Sequence, residues 1–222
     1  MHVDSCLRQA VSFLGTVQLP HGEFKTLIGT HDDLSGGVFD SSPFTTTFVT
    51  YALQEVGQIN VGGMLRKGLN FLEQQREIGG LWRFYSSKNY KHMRIPPDLD
   101  DTACASFALQ QAGRRSHNEW AFRYLRDDDG RFLTWFLPVQ DRPSLRASFV
   151  RVVGEFEARS YQQFTSRPPW AASNRLLTTE FDPVPSNDVD PVVNANAVLY
   201  LGECKLTEAS IEYLIRSVTA AQ

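Results

Sequence analysis

Two stretches of this chain repeat at a fixed offset, and that repeat limits the fold more than any other feature. Residues Thr46 to Gly57 (TTFVTYALQEVG) and Thr102 to Gly113 (TACASFALQQAG) align without a gap, 56 positions apart. Both are built of small and apolar residues, carry almost no charge until their ends, and stop at glycine, a common C-terminal signal of a helix. Helices that are apolar nearly all round are buried ones. A third copy runs from Asn194 to Gly202 (NANAVLYLG).

A second element alternates with the first. Phe13-Leu14 is followed by Gln18 and then Gly22-Glu23-Phe24; Phe71-Leu72 is followed by Gln75 and then Gly80-Leu81-Trp82. Phe122 and Leu125 lead into Asp129-Gly130-Arg131-Phe132, and Ile211 to Ile215 starts the element again. Each copy reads as the end of an amphipathic helix, a tight glycine turn, and an aromatic that folds back. A two-helix unit cannot cover its own apolar face, so neighbouring units must stack. The expectation is an all-α chain, an (α/α) toroid or partial barrel of repeated helical hairpins, in one domain over residues 1–222. An irregular bundle with accidental recurrence of the turns is the competing reading. Residues 133–187 interrupt the pattern. Phe149, Val152, Val153, Phe156 and Tyr161 mark one more helix between Ser144 and Phe164, whereas Arg167-Pro168-Pro169-Trp170 and Phe181-Asp182-Pro183-Val184-Pro185 read as loop.

Composition removes several classes of function. The net charge is -3, with Lys and Arg scattered along the chain. That leaves no basic stripe for nucleic acid. Three widely spaced cysteines, Cys6, Cys104 and Cys204, form neither a disulfide framework nor a zinc signature. The five histidines show no metal-ligand spacing, and no Gly-x-Ser-x-Gly or phosphate-loop pattern occurs. The start, Met1-His2-Val3-Asp4-Ser5, has no basic, apolar leader, and no apolar run approaches the ~20 residues of a membrane span. A cytoplasmic protein is expected, with transient membrane contact if its substrate is a lipid.

The main chemical signal is Pro96-Pro97-Asp98-Leu99-Asp100-Asp101-Thr102-Ala103. Tandem prolines hold the preceding chain extended, and a helix is expected to start near Asp101. Three crowded carboxyls at a buried helix start repel, and one solution is that a member keeps its proton, which in an apolar cavity makes it a strong general acid. Capping and the helix dipole explain the same residues without chemistry. The equivalent start at Pro43-Phe44-Thr45-Thr46, however, carries no carboxylate. A second acidic start, Asn187-Asp188-Val189-Asp190-Pro191, precedes the third inner helix. Aligning Leu199 with Leu109 lays Asp188 and Asp190 over Asp98 and Asp100, an offset of 90. Asn194 and Asn196 then serve either an acid or substrate, or are satisfied buried amides.

Other signals are weaker. Arg126-Asp127-Asp128-Asp129-Gly130 reads as turn chemistry, and His31-Asp32-Asp33 as loop. Trp82, Phe84, Tyr85, Phe107, Trp135 and Tyr200 line a cavity in one reading and fill the core in the other. Arg83, Lys88, Lys91, His92 and Arg94 form either a grip for a diphosphate or an exposed basic loop.

These motifs carry a resemblance. Lys67-Gly68-Leu69-Asn70-Phe71-Leu72-Glu73-Gln74-Gln75, closed by Gly80-Leu81-Trp82, resembles the Gln-Trp repeat of squalene and hopene cyclases. Asp98-Leu99-Asp100-Asp101 resembles the Asp-x-Asp-Asp motif of class II terpene cyclases. The terpenoid cyclase and protein prenyltransferase superfamily, marked by prenyltransferase/squalene oxidase repeats, folds as an (α/α) toroid. The resemblance implies an isomerase- or lyase-type enzyme that cyclises an isoprenoid by protonation, with Asp100 delivering the proton and Asp98 and Asp101 tuning it. Asp188, Asp190, Asn194, Trp82, Phe107 and Tyr200 are the expected substrate-binding residues. No resident metal is expected, and Mg²⁺ enters only if the substrate is a diphosphate. No Asp-x-Cys pair with a later His matches the prenyltransferase zinc site, which disfavours prenyl transfer to protein. At this period the chain holds about four hairpins against about six in the family ring. The ring is therefore open, or a second copy in a homodimer or a partner chain completes the cavity. Two other classes stay in view: a non-catalytic toroid that binds lipid or protein, and a carbohydrate-active toroid using Asp100 and Asp190 about 5–9.5 Å apart as acid and base.

Overall fold

Three caps begin the helices that organise the structure. Ser42, Asp98 and Asp190 all sit in extended backbone, and each side chain accepts from a backbone N–H in the first turn of the helix that follows. Such caps are worth about 1 kcal/mol each. They open α2 (Pro43–Gln54), α4 (Leu99–Gln111) and α6 (Pro191–Leu201). Between them run α1 (Val3–Val17), α3 (Gly62–Gln75), α5 (Glu119–Tyr124) and α7 (Glu208–Ala220). This computed structural model describes residues 3–29, 36–57, 59–136 and 188–220. Among the described residues the protein is mostly helical, and its one sheet is the antiparallel pair β1 (Leu27–Ile28) and β2 (Val38–Phe39). The helix expected between Ser144 and Phe164, the loops at 167–170 and 181–185, and His31-Asp32-Asp33 lie outside the described residues.

Helices of the two sequence patterns alternate along the chain, but of the three expected to be buried only α4 mostly is: α2 buries five of its twelve residues and α6 four of its eleven. Helix α2 packs on α3 and α4, α4 on α6, and α6 on α7, so α2, α4 and α6 form a row flanked by the other helices. Buried clusters occupy successive interfaces along the row. Val11, Phe24 and Leu53 join α1 to α2; Leu69, Phe71, Leu72, Trp82 and Leu109 join α3 to α4; Leu99, Phe122, Phe132 and Val193 join α4, α5 and α6. Nine of the thirteen residues of α4, in the middle of the row, are buried, whereas α1 fully buries Val11 alone.

Each flanking helix but the last ends in the turn the sequence predicts. Leu19 N–H donates to Glu23 O at 2.8 Å, Glu77 N–H to Leu81 O at 2.8 Å, and Asp127 N–H to Arg131 O at 2.9 Å. Gly80 shows why glycine is needed there. Its φ is +77°, and a Cβ would collide with the backbone oxygen of Ser116. After each turn comes a fully buried aromatic: Phe24, Trp82 or Phe132. The backbone N–H of each would be an orphan donor in the core. The row of inner helices supplies the acceptor at one equivalent position. Phe24 donates to Thr46 Oγ1 at 2.9 Å, Trp82 to Thr102 Oγ1 at 3.1 Å, and Phe132 to Asn194 Oδ1 at 2.9 Å. Leaving such a group unpaired costs about 1–3 kcal/mol.

The chain returning from each turn is stitched to the starts of the inner helices. Ser86 N–H donates to Ser41 O, Asp98 N–H to Trp82 O, Leu99 N–H to Thr134 O, and Thr134 N–H to Asp188 O. The start of α4 is thus held from both sides, by Trp82 and by Trp135.

Candidate active site

The caps fix which residues of the inner helices are equivalent. Ser42 and Asp98 stand 56 residues apart, Asp98 and Asp190 stand 92 apart, and the acceptors Thr46, Thr102 and Asn194 keep the same spacing. Asp190 therefore matches Asp98, and Val192 matches Asp100. The offset of 90 obtained from Leu199 and Leu109 is corrected by two residues, because cap and buried acceptor set the register and the leucine match does not. Asp188 lies before the helix, where its backbone oxygen accepts from Thr134. The helix carrying the acidic motif likewise begins at Leu99, two residues earlier than the sequence suggests, because Asp98 is its cap.

In this register one stripe of the row is shared by three helices: Phe44, Phe48 and Tyr51 on α2, Asp100, Cys104 and Phe107 on α4, and Val192, Asn196 and Leu199 on α6. These positions follow i, i+4, i+7 and so lie along one helix face. Phe48, Val192 and Leu199 are exposed, and Phe44, Tyr51, Phe107, Asp100 and Asn196 are half-buried. Aromatic rings continue along it. Phe44 packs against Phe48 at 4.8 Å between centroids and against Phe84 at 5.7 Å, and Tyr51 packs against Phe107 at 5.3 Å. The stripe is apolar and aromatic except for Asp100, Cys104 and Asn196.

The three acids of the motif divide the work. Asp98 is buried, and its Oδ1 accepts from Asp101 N–H at 2.7 Å. Its pKa is pushed up to about 6, chiefly by burial. Asp101 is buried beside it. Burial first, then the charges of Asp98 and Asp100, hold the Asp101 carboxyl well above the usual carboxylate range. Among the described residues its Oδ1 has no hydrogen-bond partner. Asp100 alone of the three reaches the open stripe. Asn196 Nδ2, from the next inner helix, donates to Asp100 Oδ1 at 2.7 Å. Burial raises the Asp100 pKa, the Asn196 hydrogen bond opposes that rise, and the charge of Asp190 adds to it. Burial also pushes up the Cys104 thiol beneath it, which keeps that group neutral.

The remaining expected site residues fall elsewhere. Trp82 is sealed in the core, with its Nε1 donating to Leu72 O at 2.9 Å. Tyr200 is buried, its hydroxyl donating to Asn118 Oδ1 at 2.9 Å. Asn194 grips Phe132 from both sides, donating to its O at 3.0 Å and accepting from its N–H. The Asp190 carboxylate accepts from Val192 and Val193 N–H as a cap. Of the expected substrate-binding residues, Phe107 lies on the stripe. The basic residues flanking the motif are largely committed internally. Buried Arg83 pairs with Glu77 at 2.5 Å, Lys91 pairs with Asp40 at 3.4 Å, and His92 hydrogen-bonds to Tyr85 O at 2.8 Å. Among the described residues, no group of three or more His, Cys, Asp and Glu is placed to hold a metal.

Sequence reasoning missed two features. Thr46 and Thr102 as buried acceptors left a trace, since both stand four residues after a cap. A polar knot at the start of α2 left none. Fully buried Glu23 accepts from Ser41 Oγ at 2.8 Å and Ser42 N–H at 2.9 Å and meets His21 Nε2 at 2.9 Å, while the hydroxyls of Ser41 and Ser86 hydrogen-bond to each other.

No protein-family model and no curated protein matches this chain. Among solved structures, a protein from Actinoplanes aligns with 97% of this chain and 65% of its own length, at 20% sequence identity and a TM-score of 0.47.

Proposed function

We propose that the helical row is part of an (α/α) toroid and that its open stripe is the active surface of a class II terpene cyclase-like enzyme. An isoprenoid chain lies along the aromatic stripe, and Asp100 gives its proton to a terminal alkene carbon or epoxide oxygen. The π pair of the next double bond then closes the ring, and the cation ends by losing a proton or adding water. The aromatic faces along the stripe stabilise the positive charge as it migrates.

The observation that carries this reading is the separation of the three acids. Asp98 and Asp101 are buried beneath the stripe, while Asp100 reaches the stripe with one oxygen already held by Asn196. A donor on one oxygen of a protonated carboxyl makes the group a stronger acid and leaves its O–H for the substrate. Burial meanwhile keeps the proton on Asp100 at a pH where an ordinary aspartate has lost it.

The test is to incubate the protein with farnesyl diphosphate, geranylgeranyl diphosphate and epoxidised isoprenoid chains, and to compare organic extracts with those of Asp100→Asn. A cyclic product that falls by about 10²–10⁴-fold in the variant is expected. Identical extracts from both proteins across the whole panel remove the reading.

A second reading has its own support. The Asp98 and Asp190 side chains are both spent on helix caps, which is what a non-catalytic lipid-binding toroid requires. It expects Asp100→Asn to bind an isoprenoid as the wild type does and neither protein to turn it over.

A further inference from the structure

A buried carboxylate persists where its oxygens meet donors or a cation. Glu23 meets that condition, with Ser41, Ser42 and His21 all on its carboxylate. Asp101 does not. It is 5% exposed, and its Oδ1 has no hydrogen-bond partner among the described residues. Its own backbone N–H is already given to Asp98 Oδ1 at 2.7 Å. The charges acting on it are those of Asp98 and Asp100, both of its own sign.

The elements packed around α4 supply no compensation. Helices α2 and α6 contain no charged residue, and α6 adds only its acidic cap, Asp190, and Asn196, whose amide serves Asp100. On the flanking helices Arg66, Lys67, Glu119 and Arg123 are exposed, and Glu73 pairs with Arg114. Arg83, on the chain returning past the start of α4, pairs with Glu77. Cys104, one turn further along α4, is held neutral by burial.

We propose that the folded protein keeps Asp101 as a neutral carboxylic acid, and that this proton locks the start of α4. As an acid, Asp101 buries one carbonyl oxygen and one O–H in place of a charge, which costs far less without a partner. Ionised, it sets a second charge beside the carboxylate that caps the helix. The repulsion falls on the joint where Asp98 N–H donates to Trp82 O and Leu99 N–H to Thr134 O. By the cap spacings, Asp101 corresponds to Thr45 on α2 and Val193 on α6, so the lock belongs to the middle helix alone. That helix carries Asp100, yet the lock does not depend on Asp100 acting as an acid.

The sign of the effect follows from linkage. Burial first, then the neighbouring charges, hold the Asp101 pKa well above the usual range. An unfolded aspartate loses its proton near about pH 4, so from there upward the unfolded state binds fewer protons than the folded one. Stability therefore falls as pH rises, by about tenfold in the folding equilibrium per pH unit for this one group, until folded Asp101 itself ionises. Asp98, pushed up to about 6, adds to the fall only below that pH.

Urea unfolding of the full chain between about pH 6 and about pH 8.5 tests the proposal in the wild type and in Asp101→Asn, which keeps the shape and cannot ionise. The variant is expected to escape the tenfold loss per pH unit, while His21 and His92, present in both proteins, cancel in the difference. Exchange of the Leu99 N–H, corrected for its intrinsic pH dependence, should quicken with pH in the wild type and not in the variant. Parallel stability curves overturn the proposal, and so does equal quickening of Leu99. Should Asp101→Asn fail to fold, infrared spectra of Asp100→Asn at about pH 7.5 decide. A carboxylic-acid C=O band in the native protein that vanishes on heat unfolding is expected, and its absence overturns the proposal. Neither readout needs turnover, so failure of the catalytic reading leaves this result standing.

Discussion

Asp100 shares its helical turn with two other carboxyls, yet differs from them in what a proton on it can reach. Its acidity is set by groups on two helices: burial and the Asp190 charge raise its pKa, and the Asn196 amide lowers it. Under the proposed function the protonated acid is the reactive form, so the rate should be flat at low pH and fall as the pH rises through the Asp100 pKa. Asn196→Ala removes the lowering influence, which should move that alkaline limb to higher pH and cut the plateau rate by roughly tenfold or more. Asp190→Asn retains a good cap but loses the charge, so the limb should move to lower pH with stability nearly unchanged. Rate profiles against pH for the three proteins check both, and superimposed limbs would sink the account. The motif itself was legible because its acids are adjacent in sequence. Which acid faces the stripe was not, because that depends on Asp98 capping the helix. The amide that holds Asp100 is 96 residues away and becomes a neighbour only through packing of α4 on α6.

The helices were legible from their small, apolar composition and their terminal glycines, and the turns from the recurring glycine and aromatic. Helix starts were less so, since in a run of acids any member is a plausible cap. Two residues of error there move a side chain by about 200° around the helix, from buried to open. The register error in the third inner helix has the same origin: a matched leucine outweighed a cap whose role appears only in three dimensions. Asn194 shows what a correct register is worth. Its amide serves both backbone groups of Phe132 and also accepts from Ser210 Oγ at 2.7 Å. Asn194→Ala should therefore cost about 2–4 kcal/mol, since it strands buried donors and acceptors. Thr102→Val, which removes one acceptor and keeps the shape, should cost about 1–3 kcal/mol. Denaturant unfolding of both variants measures the difference, and an Asn194→Ala change below that of Thr102→Val contradicts the double role.

In a row of stacked units, each helix is stabilised by the neighbours it touches. Helix α4 packs on α2, α3 and α6 and buries nine residues, whereas α1 and α7 bury one residue each. Native-state hydrogen exchange should accordingly be slowest in α4 and at the Leu81–Trp82 return, and fastest in α1 and α7. Exchange of uniform slowness from α1 to α7 would mean that the ends are covered in solution, as in a closed ring. The row was foreseeable from the repeat, but its stripe was not, because the register that lines up its third helix depends on the caps. The β1–β2 pair was not foreseeable either, because two-residue strands leave too little alternation to read.

The hydrogen bond from each returning aromatic to the next inner helix has a further consequence. Thr46 and Thr102 present a hydroxyl oxygen and Asn194 an amide oxygen at the same place, four residues after the cap, so successive seams share the position of the latch while differing in its chemistry. A helix added to such a row would need only a side-chain oxygen at that place to receive the returning chain's N–H.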